Sequence, residues 1–168
     1  MIKNYLTIFV LSSTTLFAIF SCKKHQATPP NTFSVTIRDT VFNASIVSAI
    51  ASKSAPEVLI IGSVPQPNGD TDMVSLQFYT EDAEVNRPSD YTWETMMDYY
   101  DSENNFDYGM GPNIPGSATI TLTLIDSAQH RLDGTFSGVF YKELPPSWPV
   151  DSLQVTNGQF SVTYTLVP

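Results

Sequence analysis

The sequence predicts an all-β fold: an antiparallel meander of about nine strands forming a β-sandwich or partly closed barrel, with at most one short helix. Three observations lead there. From Phe33 onward, short runs alternate apolar and polar residues with a period of two, as in FSVTIRD and MVSLQFYT. Turn-forming clusters such as PQPNGDTD and SAQ separate these runs. A helical spacing of apolar residues is confined to one short stretch, Trp93, Met96, Met97 and Tyr100.

Taken in order, FSVTIRD places Phe33, Val35 and Ile37 on one face. VFNASIVSAIAS and EVLIIGSV alternate less cleanly, the pattern of strands covered on both sides. PQPNGDTD is a loop and implies a hairpin to MVSLQFYT, which turns Val74, Leu76 and Phe78 inward. ATITLTLID directs Ile120, Leu122 and Leu124 to the core, SAQ reverses the chain, and HRLDGTFSGVFYKE returns. In DSLQVTNGQFSVTYTLV the inward set is Leu153 and Val155, then Phe160, Val162, Tyr164 and Leu166, so parity switches at Thr156-Asn157-Gly158. A tight hairpin turn or a bulge with Gly158 at positive φ would do this, and the shortness of DSLQV favours the bulge.

The opening hairpin, the central ATITLTLID, then RLDGTFSGVF and VTNGQFSVTY resemble Bacteroidetes-type lipoproteins that carry a small all-β domain of unknown function. The likeness spans roughly residues 33–166 and is strongest at Gly134-Thr135-Phe136 and at Thr156-Asn157-Gly158 with Phe160. It implies a fold and a location, and no reaction.

The N-terminus points to the same location. Lys3 supplies a positive n-region, Tyr5–Phe20 is apolar apart from Ser and Thr, and Ser21 precedes Cys22. The apolar run is shorter than the ~20 residues of a spanning helix, so residues 1–21 read as a cleaved signal peptide. Ile19-Phe20-Ser21-Cys22 resembles the lipobox of bacterial lipoproteins, in which the cysteine is lipidated. The chain's single cysteine cannot form an internal disulfide, and its place and flanks are those of an acyl anchor. Residues 22–32, with their Pro-Pro pair, read as a flexible tether, and residues 33–168 as a single β domain. The expected location is exported and lipid-anchored, at the outer membrane. Lys23, Lys24 and His25 stand where surface-exported lipoproteins of that type carry acids, which favours the periplasmic leaflet.

A net charge of −9 argues against nucleic acid as a partner. Enzyme chemistry also finds few residues. The two histidines are His25, in the tether, and His130, beside the SAQ turn, so neither a Ser-His-Asp arrangement nor a His/Cys zinc site is favoured. No Gly-rich phosphate loop is present, and no cofactor is implied.

The segment DYTWETMMDYYDSENNFDYGMG, residues 90–111, is the candidate site. Trp93, Tyr99, Tyr100, Phe106 and Tyr108 could form a platform for a sugar ring or peptide, with Trp93–Tyr100 as a short amphipathic helix over an open end of the sheets. Closure of the core is the competing role for these aromatics. Asp98, Asp101, Glu103 and Asp107 are weak calcium candidates because their spacing departs from that of a calcium loop; Asp70 and Asp72 are weaker still. The expectation is a noncatalytic binding or interaction module for a glycan, peptide or protein, in contact with the membrane through its N-terminal lipid. The alternatives are a scaffold lipoprotein for a protein partner and a lipocalin-like carrier of a small apolar ligand.

Overall fold

The computed structural model describes residues 29–80, 84–91, 96–110, 116–142 and 151–168. Cys22 and the leader lie outside them, as does the tether up to Thr28. The strands are β1 (Thr32–Ile37), β2 (Thr40–Asn43), β3 (Ile46–Ser52), β4 (Glu57–Pro65), β5 (Thr71–Tyr79), β6 (Pro88–Tyr91), β7 (Met96–Asp101), β8 (Phe106–Met110), β9 (Ser117–Asp126), β10 (Arg131–Lys142), β11 (Ser152–Thr163) and β12 (Thr165–Val167). They form one curled sheet of twelve strands in the order β12-β3-β4-β5-β7-β8-β10-β11-β1-β2, with β9 on β10 and β6 on β9. The fold is all-β, a partly closed barrel. The count exceeds nine because β2, β6 and β12, each of only three or four residues, also pair.

Closure comes from the C-terminal segment. β11 pairs antiparallel with both β10 and β1, and its continuation β12 then pairs with β3 at the far end of the strand order, Thr165 opposite Ile50 and Val167 opposite Ser52. This last pairing is parallel, which corrects the expectation of an antiparallel sheet throughout. VFNASIVSAIAS is divided rather than continuous. At Ala44 and Ser45 the chain changes partners, the Ala44 amide donating to Phe33 O and the Ser45 amide to Ser63 O, each at 3.0 Å.

β3 and β4 are buried on one face only, not on both. Ala49, Ala51, Val58 and Ile60 face the core, while Ile46 and Ile50 are exposed on the outer side. Their apolar outer residues blur the alternation without marking a second cover. The expected inward sets hold for β1 and β5: Phe33, Val35, Ile37, Val74, Leu76 and Phe78 are all buried.

In β9 the alternation breaks. Leu122 lies opposite Gly134 and Leu124 opposite Asp133, so β9 carries one extra residue there. That bulge turns Leu124 outward, 37% exposed, and brings Ile125 against the core in its place. The parity switch in β11 is likewise a bulge: Phe136 faces Gly158, and Gly138 faces Val155. Its positive φ falls on Asn157 (52°), however, and not on Gly158. Asparagine tolerates this left-handed region better than most side chains.

Gly158 answers a different need. A Cβ there would lie 2.6 Å from the Phe136 ring, and a Cβ on Gly134 would lie 2.6 Å from Phe160. Gly134 pairs with Phe160 and Gly158 with Phe136, so each ring covers the glycine across the ladder. These two Gly-x-Phe segments give the resemblance motifs a packing role. Phe136 also packs on Phe33 (ring centroids 5.4 Å) and Phe160 on Phe78 (6.2 Å), tying β10 to β1 and, across the core, β11 to β5.

The predicted helix at Trp93–Tyr100 is not formed over its described part. Met96–Asp101 is β7, hairpinned to β8, with Met97 opposite Met110 and Tyr99 opposite Tyr108. Met97 is buried and Met96 is exposed, the alternation of a strand. Pairing with β5 on the other edge supplies a second hydrogen-bonded ladder, which outweighs a helical spacing carried by four residues.

Candidate ligand-binding cleft

At the end of the barrel where β1 turns into β2, a cleft of about 450 Å³ opens between β2 and the ends of β4, β5 and β7. Ile37, Phe42, Val64 and Tyr99 supply apolar or aromatic wall, while Arg38, Gln66, Asp72 and Asp101 supply polar groups. A smaller hollow of about 150 Å³ lies at the opposite end of β4, lined chiefly by apolar residues including Val58, Leu132 and Leu166.

Each wall follows from local structure. β1 and β2 are joined by a two-residue turn, Arg38-Asp39, with φ of 48° and 64°. Both residues at positive φ suit a hairpin of this length, although neither is glycine or asparagine. The turn aims Arg38 at Tyr108, in the middle of β8. Its Nη2 donates to Tyr108 Oη at 2.6 Å and lies 3.5 Å from Asp151 Oδ2, while Tyr108 Oη donates to the same carboxylate at 3.0 Å. Arg38 Cζ is 5.1 Å from the Tyr108 ring centroid, within cation–π range. Burial of Tyr108, and next its bond to Asp151, raise the phenol's pKa against the opposing effect of Arg38.

Tyr99 stands in front of Tyr108, the rings stacked with centroids 6.4 Å apart. Its pKa is pushed up to about 12, first by burial and then by the negative charges of Asp101 and Asp72. The cleft therefore holds a neutral phenol in a negative field. Asp72 is fixed from two sides: Oδ1 accepts from the Ser102 amide (2.9 Å) and Ser102 Oγ (2.6 Å), and Oδ2 accepts from Gln66 Nε2 (2.7 Å). Asp101 accepts from the Asn104 amide and Asn104 Nδ2 at 3.1 and 2.9 Å, closing the β7–β8 turn.

The expected aromatic platform is thus divided by strand parity. Tyr99 and Tyr108 come together, but Tyr100 belongs to the outer face, where its Oη donates to Asn105 Oδ1 at 3.2 Å. Trp93 lies outside the described residues, and only the backbone of Phe106 is described, in β8. The calcium candidates do not converge. Asp98 is on the outer face, where Ser75 Oγ donates to it at 3.3 Å, and Asp107 is paired there across from Tyr100, whereas Asp101 lines the cleft. Glu103 is exposed in the turn. Among the described residues no group of three or more His, Cys, Asp or Glu is placed to hold a metal ion. Asp70 accepts from Asn68 Nδ2 (2.8 Å) in the β4–β5 loop. His130 is exposed in the β9–β10 turn and stacks on Tyr164, centroids 5.4 Å apart.

Sequence reasoning missed Arg38, Gln66 and Asp151 and gave Asp72 little weight. The turn signal SENN, between two short aromatic runs, could have revealed the β7–β8 hairpin and with it the cleft position of Tyr99. No protein-family model, curated protein or solved structure matches the chain.

Proposed function

We propose that the protein is a noncatalytic binding module of the bacterial cell envelope, anchored by lipid at Cys22 and taking its ligand in the cleft beside Tyr99. The observation that carries this reading is the cleft: concave, open on one side, with an aromatic wall and charged groups already held by hydrogen bonds. Core positions are filled by Phe78, Phe140, Leu76 and their neighbours, so a lipocalin-like carrier finds less support. The test is a thermal-shift screen of the detergent-extracted full chain against glycans, peptides, lipids and divalent cations. A ligand at about 100 times its Kd stabilises the folded state by roughly 2.7 kcal/mol, a shift of several degrees. That shift is expected to vanish in Tyr99→Ala; a shift unchanged in the variant would move the site elsewhere.

The anchor has its own test. Cys22→Ser is expected to release the protein from membranes and abolish palmitate incorporation, because one buried acyl chain alone adds about 0.8 kcal/mol per methylene. Unaltered labelling would remove Cys22 from the proposal. The resemblance to Bacteroidetes-type lipoproteins and the outer-membrane, periplasm-facing location belong to the same reading.

A second reading, a scaffold for a protein partner, is favoured by one observation. On the outer face, Ile50 and Leu59 pair directly, as do Met73 and Tyr100. Ile46, Ile50, Met73 and Met96 are all exposed there, an apolar face suited to a protein surface.

A further inference from the structure

We propose that the cleft receives an extended peptide as an added strand along the free edge of β2, with a basic side chain of the peptide placed beside Asp72 and Asp101. This rests on the binding-module reading and specifies its ligand.

The edge is defined by register. Ala44 donates its amide to Phe33 O, and the ladder pairs Phe42 with Val35 and Thr40 with Ile37. Backbone groups alternate sides along a strand, so those of Thr40 and Phe42 point to β1 and those of Val41 and Asn43 point away from it. Among the described residues, β2 has no ladder on that second side. All four of its residues, Thr40, Val41, Phe42 and Asn43, line the cleft. Successive side chains of a strand face opposite ways, so four consecutive lining residues mean that the strand meets the cleft edge-on.

Across the gap, the β3–β4 ladder zips as far as Ile46 opposite Ser63, with the Ser45 amide on Ser63 O, and then stops. Beyond that point β2 stays with β1 and β4 stays with β5, up to Pro65 opposite Thr71. The sheet splits into a mouth beside an unpaired edge of roughly 13 Å, four residues at the usual strand rise. Main-chain bonds to such an edge give affinity with little dependence on sequence, and side-chain pockets then select.

The pockets select for a cation. Asp72 and Asp101 line the cleft, and the one cationic side chain among its described lining residues, Arg38, is already paired with Asp151. Phe42, Val64, Asp72 and Tyr99 share the inner face of the sheet, so a lysine or arginine of the incoming strand would lay its stem along Phe42 and Val64 and meet two carboxylates and the face of Tyr99, while the residues alternating with it face outward. The chain's net charge of −9 favours the encounter.

The test uses the detergent-extracted full chain and three fluorescently labelled synthetic peptides: one alternating lysine with valine, one alternating glutamate with valine, and the lysine peptide N-methylated at alternate amides. Anisotropy should show the lysine peptide binding at least about tenfold more tightly than either of the others. The amide protons of Val41 and Asn43 should slow in exchange when it binds. Val41→Pro removes one outward amide at an exposed edge position that tolerates proline, and should abolish binding with the circular dichroism spectrum intact. Equal binding of the N-methylated peptide by the unaltered protein, or no binding of the lysine peptide, overturns the proposal. If the lysine peptide fails while a glycan still gives a shift that Tyr99→Ala removes, strand addition falls and the binding-module reading stands. If Tyr99→Ala alters the response to no ligand, that reading falls as well.

Discussion

Phe136→Ala is expected to lower the unfolding free energy by about 3–5 kcal/mol, measured by urea denaturation, a large part of the 5–15 kcal/mol available to an ordinary domain. The ring is 3% exposed, touches Phe33 and Phe160, and covers the backbone at Gly158, so its loss opens a cavity that strands on both sides cannot fill. Gly158→Ala attacks the same contact from the other side. Its new Cβ would meet three ring carbons of Phe136 at 2.6 Å, and overpacking of this kind costs about 1–3 kcal/mol. In the double variant the ring is absent and the methyl has room. The two losses should therefore sum to more than the measured loss of the pair. Strict additivity would show that the ring does not sit over this glycine.

Asp72→Ala is expected to cost about 2–3 kcal/mol and to reset the titration of Tyr99. Ser102 is 7% exposed, and both its amide and its hydroxyl donate to Asp72 Oδ1. Removing the acceptor leaves two donors at a buried position, while Asp72→Asn retains an acceptor and separates hydrogen bonding from charge. The neutral phenol of Tyr99 is favoured in the folded state, its pKa raised from 10.0 to about 12. The stability this contributes is present in full below pH 10 and is lost as the pH rises through about 12. With Asp72 neutralised, an absorbance titration should show Tyr99 ionising at lower pH, and the alkaline loss of stability should shrink. An unchanged tyrosine titration in both variants would mean that Asp72 does not reach the phenol.

Much of the fold is legible in the residues, because a two-residue period is local information. The inward sets of β1 and β5 and the bulge of β11 can be read from FSVTIRD, MVSLQFYT and VTNGQF. Leu124 could not, since the bulge beside it depends on how Gly134 seats against β9. The helical spacing at Trp93–Tyr100 misled because Met97 and Tyr99 face inward only when β5 and β8 flank them. The candidate site was half visible for the same reason. Tyr99, Tyr108 and Asp101 lie in one hairpin, but Arg38 is 70 residues from Tyr108, and Asp72 is 30 residues from Ser102. Contacts of that separation are set by topology, and no local spacing announces them.

The partner change along β11 and β12 has a consequence for assembly. Asn31 and Thr163, joined by a bond of 2.7 Å, are 132 residues apart in the chain, and β1 has only the short β2 beside it until β11 arrives. Such distant pairing slows folding, because closing the intervening loop costs entropy before any contact repays it. A polypeptide emerging in order from its N-terminus thus holds its first hairpin unfinished until nearly the whole domain has been delivered. For a chain passing through an export channel as proposed, that delay keeps it threadable during transit and defers compaction to the far side.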